Sequence, residues 1–542
     1  MSSDGDEPAR PPDADAEPGT GAPDELGRRT IAGIHWSYVQ TIVSAGLQIV
    51  MAAVLARLLT PAAFGLVALA NLSLRFVTYF AKAGIAPAVI QKRDLDDVDV
   101  RAAFTSSVGL GLLFGSLVWA GSPLAAAIFR DPGLVPVLRW MSLAVPLAAL
   151  GAVADALLYR DLRLRALAVR RISSYVIGYL GVGLPLAVAG AGVYALVAAV
   201  LTQIGVGAAL AYAVVRHPVT PSFDRQAHRS IFGFGSRVSV ISFFEFIGDE
   251  LDTMAVGRFT GTSAVGVYNR AYLIVRLPLE HATTSLSSVL FPAFSATQDD
   301  VPKLARGYLA AISGAAGIVL PLVAGIGVAA PEVVLVLLGE QWTDAIPVVP
   351  WIAAAGAVSA LSHFSGVVAE ARATLNPKLA IAVSNVVVFA GLLWLARGHG
   401  LWAYGAALAG SEVYAQTLYV RLTARVIESP VRRVLAAYVP GVLAAVSVAV
   451  TVAIVRFGLL AAGAPLAVVF TAEVLAGAAA LVANLHVGSL RPVRDDLHAR
   501  LRSAGYLTRV RERRWLRLLA TVVIGRVEGP GPGPASDPDP RP

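Results

Sequence analysis

The stretch ELDTMAVGRFTGTSAVGVYNRAYLIVRLPLE, residues 250–280, decides how the rest of the chain folds. It holds two apolar runs joined by a short segment rich in glycine and threonine, and charged residues interrupt both runs. Shifting the sequence by 201 residues gives four identities with an earlier stretch: Arg57 on Arg258, Gly65 on Gly266, Ala70 on Ala271 and Arg75 on Arg276. The chain therefore contains an internal repeat.

Apolar blocks of membrane-spanning length fill most of the 542 residues. The chain is 56% hydrophobic and 15% charged, whereas soluble domains have about 25% charged residues, so this composition excludes a typical soluble enzyme. A hydrocarbon core about 30 Å thick takes about 20 helical residues to cross. We predict fourteen helical spans: 31–54, 64–85, 103–128, 135–157, 168–189, 193–215, 231–256, 266–292, 306–329, 346–368, 379–396, 401–423, 434–457 and 463–486.

The repeat places predicted spans 1 and 2 on spans 7 and 8, so both copies cross the membrane in the same direction. Parallel repeats relate two halves by an axis along the membrane normal, with a substrate site between the halves. We therefore predict an all-α polytopic membrane protein with two pseudo-symmetric six-helix bundles and two additional C-terminal helices. The predicted units are an N-lobe at 28–215, a cytoplasmic loop at 216–230, a C-lobe at 231–425 and the additional pair at 426–487.

Basic residues fall almost entirely on one side of these spans. With the N-terminus inside, the opposite side receives only Arg57, Arg130, Arg258, Arg270 and Arg397. Cytoplasmic loops carry the excess of lysine and arginine in membrane proteins. We therefore predict a multi-pass protein of the cytoplasmic membrane with both termini in the cytoplasm.

The two ends of the chain differ from the spans and from each other. Residues 1–27 are acidic and rich in proline and glycine, which is typical of a disordered tail, and they lack the basic start and short apolar stretch of a signal peptide. Residues 488–542 begin with alternating basic and apolar residues and end in a Pro/Gly-rich tail. The basic part suits an interfacial helix on anionic lipid; a solvated basic tail is the alternative.

Cations inside the predicted spans are candidates for substrate binding, because an ionisable group at bilayer depth normally faces a cavity or a partner. Arg75 lies mid-span, Lys82 lies on nearly the same helix face, and Arg276 is the repeat-related counterpart of Arg75. Guanidinium groups from symmetric positions can hold a diphosphate between the lobes. Arg237 in span 7 is a further candidate. The alternative for Arg276 is a local pair with Glu280, four residues on.

Acidic residues cluster in predicted span 7. Glu245, Asp249 and Asp252 fall on one helix face with Arg237, while Glu250 points elsewhere. Neighbouring carboxylates in a low dielectric repel and tend to hold a proton or cation, so these three residues are candidates for coupling to a proton or sodium gradient. The alternative for Asp252 is a pair with Arg258. Glu412 and Glu473 also lie within spans and need partners that the sequence does not identify.

Several chemistries lack their sequence signals. The chain has no cysteine and its eight histidines are scattered, so we expect no metal site. We find no nucleotide-binding motif, nucleophile elbow or metalloprotease motif. We therefore expect no cofactor, and no nucleic-acid partner for a net charge that sets topology.

Six stretches resemble one family of transporters: LARLLTPAAFGLVALA (55–70), AGIAPAVIQKRDL (83–95), YRDLRLRALA (159–168), residues 250–280 quoted above, SVLFPAFSATQDD (288–300) and LGEQWTDAIPVVPWIA (338–353). They are similar to the Wzx-type polysaccharide and lipopolysaccharide exporters, whose superfamily includes MurJ-like lipid II flippases and multidrug and toxin extruders. The resemblance implies a V-shaped pair of six-helix bundles that alternates access and moves a polyprenyl-diphosphate-linked oligosaccharide to the outer leaflet. The positions that match the family motif are Asp252, Gly257, Arg258, Gly266, Tyr268, Asn269, Arg270, Tyr272 and Pro278.

The resemblance also implies partners: a polysaccharide polymerase and glycosyltransferases. Two other transport functions stay open, a drug or cation antiporter, which the acidic face of span 7 favours, and a lipid II-type flippase. A multispan polymerase or ligase is a remote alternative. Such an enzyme needs a substantial outer loop, and the longest here, 330–345, offers Glu332, Glu340 and Asp344 without a base–nucleophile pair.

Overall fold

The computed structural model describes residues 40–41, 43–81, 85–92, 94–225, 248–295, 297, 299–372, 374–491 and 494–495. Several predictions fall outside these residues: both tails, part of the loop at 216–230, and the candidates Lys82, Arg237 and Glu245.

Every regular element in the described residues is a helix. The helices are α1 (Val43–Leu58), α2 (Pro61–Ala81), α3 (Ile85–Gln91), α4 (Asp97–Phe129), α5 (Leu134–Met141), α6 (Ala144–Arg160), α7 (Leu164–Tyr175), a π-helical segment (Val176–Gly183), α8 (Leu184–Val188), α9 (Val193–Val215), α10 (248–259), α11 (Thr262–Ser295), α12 (Val301–Val328), α13 (Ala330–Leu337), a 3₁₀ turn (Glu340–Ala345), α14 (Val349–Ala371), α15 (Leu375–Leu395), α16 (Leu401–Val426), α17 (Val431–Ala436), α18 (Val439–Ala461) and α19 (Leu466–His486).

Nine helices in the described part of the chain are long and apolar enough to cross a membrane, and two shorter apolar helices, Val43–Leu58 and Pro61–Val77, accompany them. The helix α11 is not among the nine although it has 34 residues. It carries Arg270, Arg276 and Glu280, which lower its hydropathy. The exact count of fourteen spans stays a prediction.

Local sequence sets the ends of the long helices. Asp96 caps α4: its side chain accepts a hydrogen bond from the Asp99 backbone N–H, and the Asp99 side chain accepts one from the Asp96 backbone N–H. This reciprocal capping satisfies two N–H groups that a helix start leaves open. Backbone hydrogen bonding from Asp99 lowers the pKa of Asp96, which lies on the surface before the helix. Arg130 ends α4 in a left-handed conformation.

The two halves of the repeat meet where α2 and α11 begin. A Cβ on Gly65 would lie 1.8 Å from the Thr262 carbonyl oxygen, and a Cβ on Gly266 would lie 1.9 Å from the Pro61 carbonyl oxygen. Both pairs are related by the same shift of 201 residues, so the contact is reciprocal, as at a two-fold interface. Only glycine allows backbones to approach this closely. The structure thus supports the repeat that the sequence indicates.

We call the end of the bundle that carries Arg57, Arg130 and Arg258 the charge-poor end, and the opposite end the charge-rich end. At the charge-rich end Arg160 donates hydrogen bonds to the carbonyls of Val89 and Lys92, at 2.8 and 2.5 Å. This arginine therefore fastens the C-terminal end of α3 to the end of α6.

Candidate functional site

A cavity of about 1100 Å³ lies between the two halves of the repeat. Its wall extends from Phe64, near the charge-poor end, to Ile90 and Tyr159 at the charge-rich end. Most of the lining is apolar, and the larger polar side chains are Gln48, Asn71, Arg75, Asp155, Tyr159, Tyr175, Tyr179, Glu250, Asn269 and Arg270. An apolar cavity with a few convergent polar groups is typical of a ligand site.

Arg270 is the cation in this cavity without an acidic partner. Its guanidinium carbon lies 4.4 Å from the ring centroid of Phe64, and Nη2 donates a 3.4 Å hydrogen bond to Oδ1 of Asn269. Its Nε is buried and makes no hydrogen bond within the described part of the chain. Among the same residues no carboxylate lies within ion-pair distance of Arg270. A half-buried guanidinium with an unused donor is suited to binding an anion.

Arg75 forms an ion pair with Glu250 across the cavity. The Arg75 side chain is 47% exposed and the Glu250 side chain only 11%. The pair joins α2 to α10, and so joins the two halves of the repeat. Because Arg75 stays half open to the cavity, it can contact a ligand while it is paired.

Tyr175 and Tyr179 form a stacked aromatic pair on the wall opposite α11, with ring centroids 4.6 Å apart. The π-helical segment Val176–Gly183 starts between them. Its glycines pack on α9: a Cβ on Gly178 would lie 2.7 Å from the Ala199 carbonyl oxygen. Such π-helical turns occur frequently at functional sites.

Hydrogen bonds close the charge-poor end of the cavity. Gln341 Nε2 donates to the carbonyls of Ala56 and Leu59, the latter at 3.2 Å, and Trp342 Nε1 donates to the Ala56 carbonyl at 2.9 Å. Trp342 is fully buried against Phe64 in an edge-to-face contact. We call these contacts of Gln341 and Trp342 with the end of α1 the latch.

Two further bonds span the halves beside the latch. Arg57 donates to the Val336 carbonyl at 2.6 Å, and the Thr262 hydroxyl donates to the Asp131 carboxylate. Together with the α2–α11 glycine contact, these bonds shut the cavity at the charge-poor end. The arrangement is that of one state of an alternating-access transporter, open toward the charge-rich end.

Residues 54–347 match the family model described as "Polysaccharide biosynthesis protein", which is more than half of the chain. The chain belongs to the polysaccharide biosynthesis protein family. This confirms the resemblance drawn from the sequence motifs. The matched range includes α11, the α2–α11 contact and the latch.

Curated relatives of this family member come from distant bacteria. The chain is 26% identical over 378 residues to the lipopolysaccharide biosynthesis protein WzxC of Escherichia coli (strain K12), covering 67% of this chain and 74% of that protein. It is 25% identical over 359 residues to the teichuronic acid biosynthesis protein TuaB of Bacillus subtilis (strain 168), covering 65% and 73%.

Solved structures show the fold that this family member shares. A lipid II flippase MurJ in an inward closed conformation matches with a TM-score of 0.64 at 11% identity, over 86% of this chain and all of that one. An inward-facing multidrug transporter of the MATE family matches with a TM-score of 0.54 at 17% identity, over 70% of this chain and 94% of that one. The predicted all-α membrane fold of this superfamily is confirmed.

The structure changes the predicted two-arginine clamp. Arg75 lines the cavity, but Arg276 does not, and its Nε instead bonds Glu280 Oε2 at 3.1 Å. The local pair that the sequence left open is thus the one observed. Arg270, assigned by its charge to an outer loop, takes the second cationic position in the cavity. This assignment was wrong because α11 begins at Thr262, four residues before the predicted span.

The acidic candidates also lie differently from the helical-wheel prediction. Asp252 is buried and accepts hydrogen bonds from the Tyr268 hydroxyl at 2.9 Å and the Thr253 backbone N–H at 2.6 Å. The alternative pair of Asp252 with Arg258 is therefore wrong. Asp249 is exposed, and Glu250, which the helical wheel set apart, is the carboxylate that reaches the cavity.

The other family-motif positions serve packing. A Cβ on Gly257 would lie 2.9 Å from the Leu69 side chain, and Gly266 forms the α2–α11 contact. Tyr268 is buried on Asp252. Most of the motif thus holds α10 and α11 together and against α2, while Asn269 and Arg270 face the cavity.

An apolar groove of about 680 Å³ opens between the halves on the side of the bundle. It lies toward the charge-poor end, and the residues that line it include Phe76, Leu124, Ile128, Met254 and Trp394. Leu124 is 67% exposed. In a membrane these side chains face hydrocarbon, so the groove is a lateral opening between the two halves.

Proposed function

We propose that this chain is a flippase that moves a polyprenyl-diphosphate-linked oligosaccharide across the cytoplasmic membrane for cell-surface polysaccharide synthesis. The observation that carries the proposal is Arg270, a cation without an acidic partner among the described residues, which faces a cavity closed at one end by the latch. Membership of the polysaccharide biosynthesis protein family supports it. WzxC and TuaB, similar along two thirds of the chain, carry polysaccharide names.

The cavity offers a place for each part of such a substrate. Arg270 and Arg75 supply guanidinium donors that match the oxygens of a diphosphate. The stacked Tyr175 and Tyr179 present aromatic faces and hydroxyls to the sugars. The groove beside Met254 can hold the apolar polyprenyl chain, because burial of each CH₂ contributes about 0.8 kcal/mol.

We propose that the charge-poor end faces outward, so that the latch is the outer gate and both termini are cytoplasmic. The excess of basic residues at the other end supports this orientation. On this basis the division into lobes at 28–215 and 231–425, with an added pair at 426–487, describes the moving parts. The basic segment after 488 binds anionic lipid, and the polymerase and glycosyltransferases act on either side of this step.

We propose that an ion gradient drives the cycle and that the acidic end of α10 takes part. Asp249 is exposed, and Glu250 holds Arg75 when the site is empty. Entry of a diphosphate competes with Glu250 for Arg75, which frees the carboxylate to accept a proton or sodium ion. The chain itself then needs no catalytic residue and no cofactor.

Reconstitution tests the function directly. In proteoliposomes that contain a fluorescent polyprenyl-diphosphate oligosaccharide, we expect transfer to the leaflet that a membrane-impermeant quencher reaches, and no transfer in protein-free liposomes. An imposed pH or sodium gradient is expected to change the rate. Efflux of a cationic dye with no lipid transfer would instead identify an antiporter, a result that the unpaired charge of Arg270 argues against.

Replacement of Glu250 tests whether it competes with the diphosphate. Glu250→Gln removes the negative charge beside Arg75, and one such charge in a partly solvated site contributes about 1 kcal/mol. We therefore expect inorganic pyrophosphate to bind the purified protein about fivefold more tightly, measured by calorimetry. Glu340→Gln, on the exposed 3₁₀ turn, is the matched control with unchanged affinity. Weaker binding to Glu250→Gln would contradict this role.

A further inference from the structure

A second cluster of charges lies outside the cavity, between the additional helices and the C-lobe. Arg456 on α18 donates from Nε to Glu332 Oε1 on α13 at 2.9 Å, and Glu473 Oε1 on α19 lies 4.0 Å from the same nitrogen. The Glu332 and Glu473 side chains are 2% and 1% exposed. We call these three residues the α13–α19 triad.

The hydrogen bonds of the triad are incomplete. Both oxygens of Glu473 and Oε2 of Glu332 are buried and have no hydrogen-bond partner within the described residues. One guanidinium thus serves two carboxyl groups, and only one of them receives a hydrogen bond from it. Two ionised carboxylates and one arginine would leave a net negative charge buried in the bundle.

Burial decides how that charge is removed. The effective penalty for burying an ion is several kcal/mol, and a group without a counter-ion neutralises instead. Glu332 is the favoured anion, because it accepts the Arg456 hydrogen bond and lies in the first turn of α13, where the helix dipole stabilises negative charge. Glu473 lies mid-helix and has neither advantage.

We propose that the α13–α19 triad is a proton-binding site, with one proton held on the Glu473 carboxyl group and Glu332 ionised against Arg456. A protonated carboxyl group has an O–H donor, and the Glu332 oxygen that lacks a partner is its acceptor. The proton thus makes the triad neutral and connects α19 to α13.

The surroundings favour a proton over a hydrated cation. The side chains packed beneath the triad are apolar, among them Val333, Val448, Val452 and Phe470. From the helix ends, Arg456 lies about 7 Å inside α18 and Glu473 about 10 Å inside α19. A sodium ion needs several oxygen ligands, whereas a proton needs one donor and one acceptor.

Other charged groups on the packed elements lie away from the triad. In the described residues the 3₁₀ turn has Glu340 and Asp344, both exposed to solvent. The helix α12 has Lys303, Arg306 and Tyr308 near its start at the charge-rich end, and α19 has His486 at its last residue. The protonation of the triad therefore depends on its own three members.

The position of the triad connects it to the latch. Glu332 is in α13, the Val336 carbonyl in the same helix accepts the Arg57 bond, and Gln341 follows within one turn. Loss of the proton would leave two repelling carboxylates at the base of this helix. A proton on Glu473 therefore stabilises the attachment of α13 to α18 and α19.

Infrared difference spectroscopy of the purified full-length chain tests the site. At neutral pH we expect an absorption band from a protonated, buried carboxyl group that is lost in Glu473→Gln and kept in Glu340→Gln. Added sodium at fixed pH is expected to leave the band unchanged. Arg456→Gln, which removes the only cation, is expected to increase the band because Glu332 also takes up a proton.

Three outcomes would overturn the proposal. The first is a wild-type spectrum without a protonated carboxyl band, and the second is a band that Glu473→Gln does not change. The third is a band that sodium abolishes, which would identify a cation site. Glu473→Met removes the carboxyl group without adding an amide, and the proposal predicts that it folds. If neither Glu473 variant folds, the ionised carboxylate is required for folding and the proposal fails.

Discussion

Arg270→Ala is expected to abolish transfer of the lipid-linked oligosaccharide while the protein folds normally. A charge-assisted guanidinium pair in a desolvated site is worth about 2 kcal/mol or more, so we expect substrate affinity to fall at least about 30-fold. Arg270 has no acidic partner in the described residues, so its removal leaves no buried carboxylate unpaired. The melting temperature should therefore change little, since only the contacts with Phe64 and Asn269 are lost.

Arg276→Ala is the matched control, because it removes an arginine from the same helix that pairs with Glu280 and does not line the cavity. We expect transfer near the wild-type rate for this variant. Arg270→Lys keeps the charge but loses the paired donors, so partial activity is expected. If Arg276→Ala lost transfer and Arg270→Ala did not, the symmetric clamp with Arg75 would be restored and the assignment of Arg270 withdrawn.

The membrane fold is largely predictable from this sequence because two independent patterns agree. Block hydropathy predicts a helix over 193–215, and the structure has α9 at Val193–Val215. The repeat predicts that Gly65 and Gly266 are equivalent, and each meets the start of the other's helix. Hydropathy reports burial in lipid, which is a local property of the chain, so it needs no knowledge of tertiary packing.

The site is less predictable, because small errors in helix ends and rotation move charges in and out of a cavity. Moving the start of α11 to Thr262 places Arg270 about 12 Å inside the helix instead of at its end. The helical wheel groups Asp249 with Asp252, but Tyr268 on the next helix takes Asp252 into the packing. Glu250 then reaches the cavity through contact with Arg75 on α2, which no local pattern indicates.

The predicted outer loop 330–345 gives a similar lesson. Its apolar run and Pro331 allow a short helix, and the structure has α13 followed by a 3₁₀ turn. Glu332, considered there as an enzyme residue, pairs with Arg456. Arg456 lies near the end of a predicted span, where a charge is unremarkable by sequence, and its role depends on the packing of α18 against α13.

Gly65→Ala and Gly266→Ala are expected to open the charge-poor end of the cavity. A Cβ at either position would lie less than 2 Å from a carbonyl oxygen of the other helix, at 1.8 and 1.9 Å. The helices must separate to admit the methyl group, and overpacking costs about 1–3 kcal/mol. A change of that size shifts a two-state equilibrium about 5- to 150-fold toward the state in which α2 and α11 are apart.

A disulfide between the halves measures this shift, because the natural chain has no cysteine. The Thr262 hydroxyl bonds the Asp131 carboxylate in the closed state, so Asp131→Cys together with Thr262→Cys places two thiols at the seam. We expect ready cross-linking that stops lipid transfer until a reductant is added. Either single cysteine variant should transfer normally with or without oxidant.

In the cross-linking background, Gly65→Ala is expected to lower the disulfide yield, and Gly266→Ala should do the same because the contact is reciprocal. Gly109→Ala adds the same methyl group to α4, where a Cβ would meet nothing within 4 Å, so its yield should match the parent. Size-exclusion profiles separate opening from misfolding. Unchanged yield and transfer in both alanine variants would mean that α2 and α11 do not close on each other during transport.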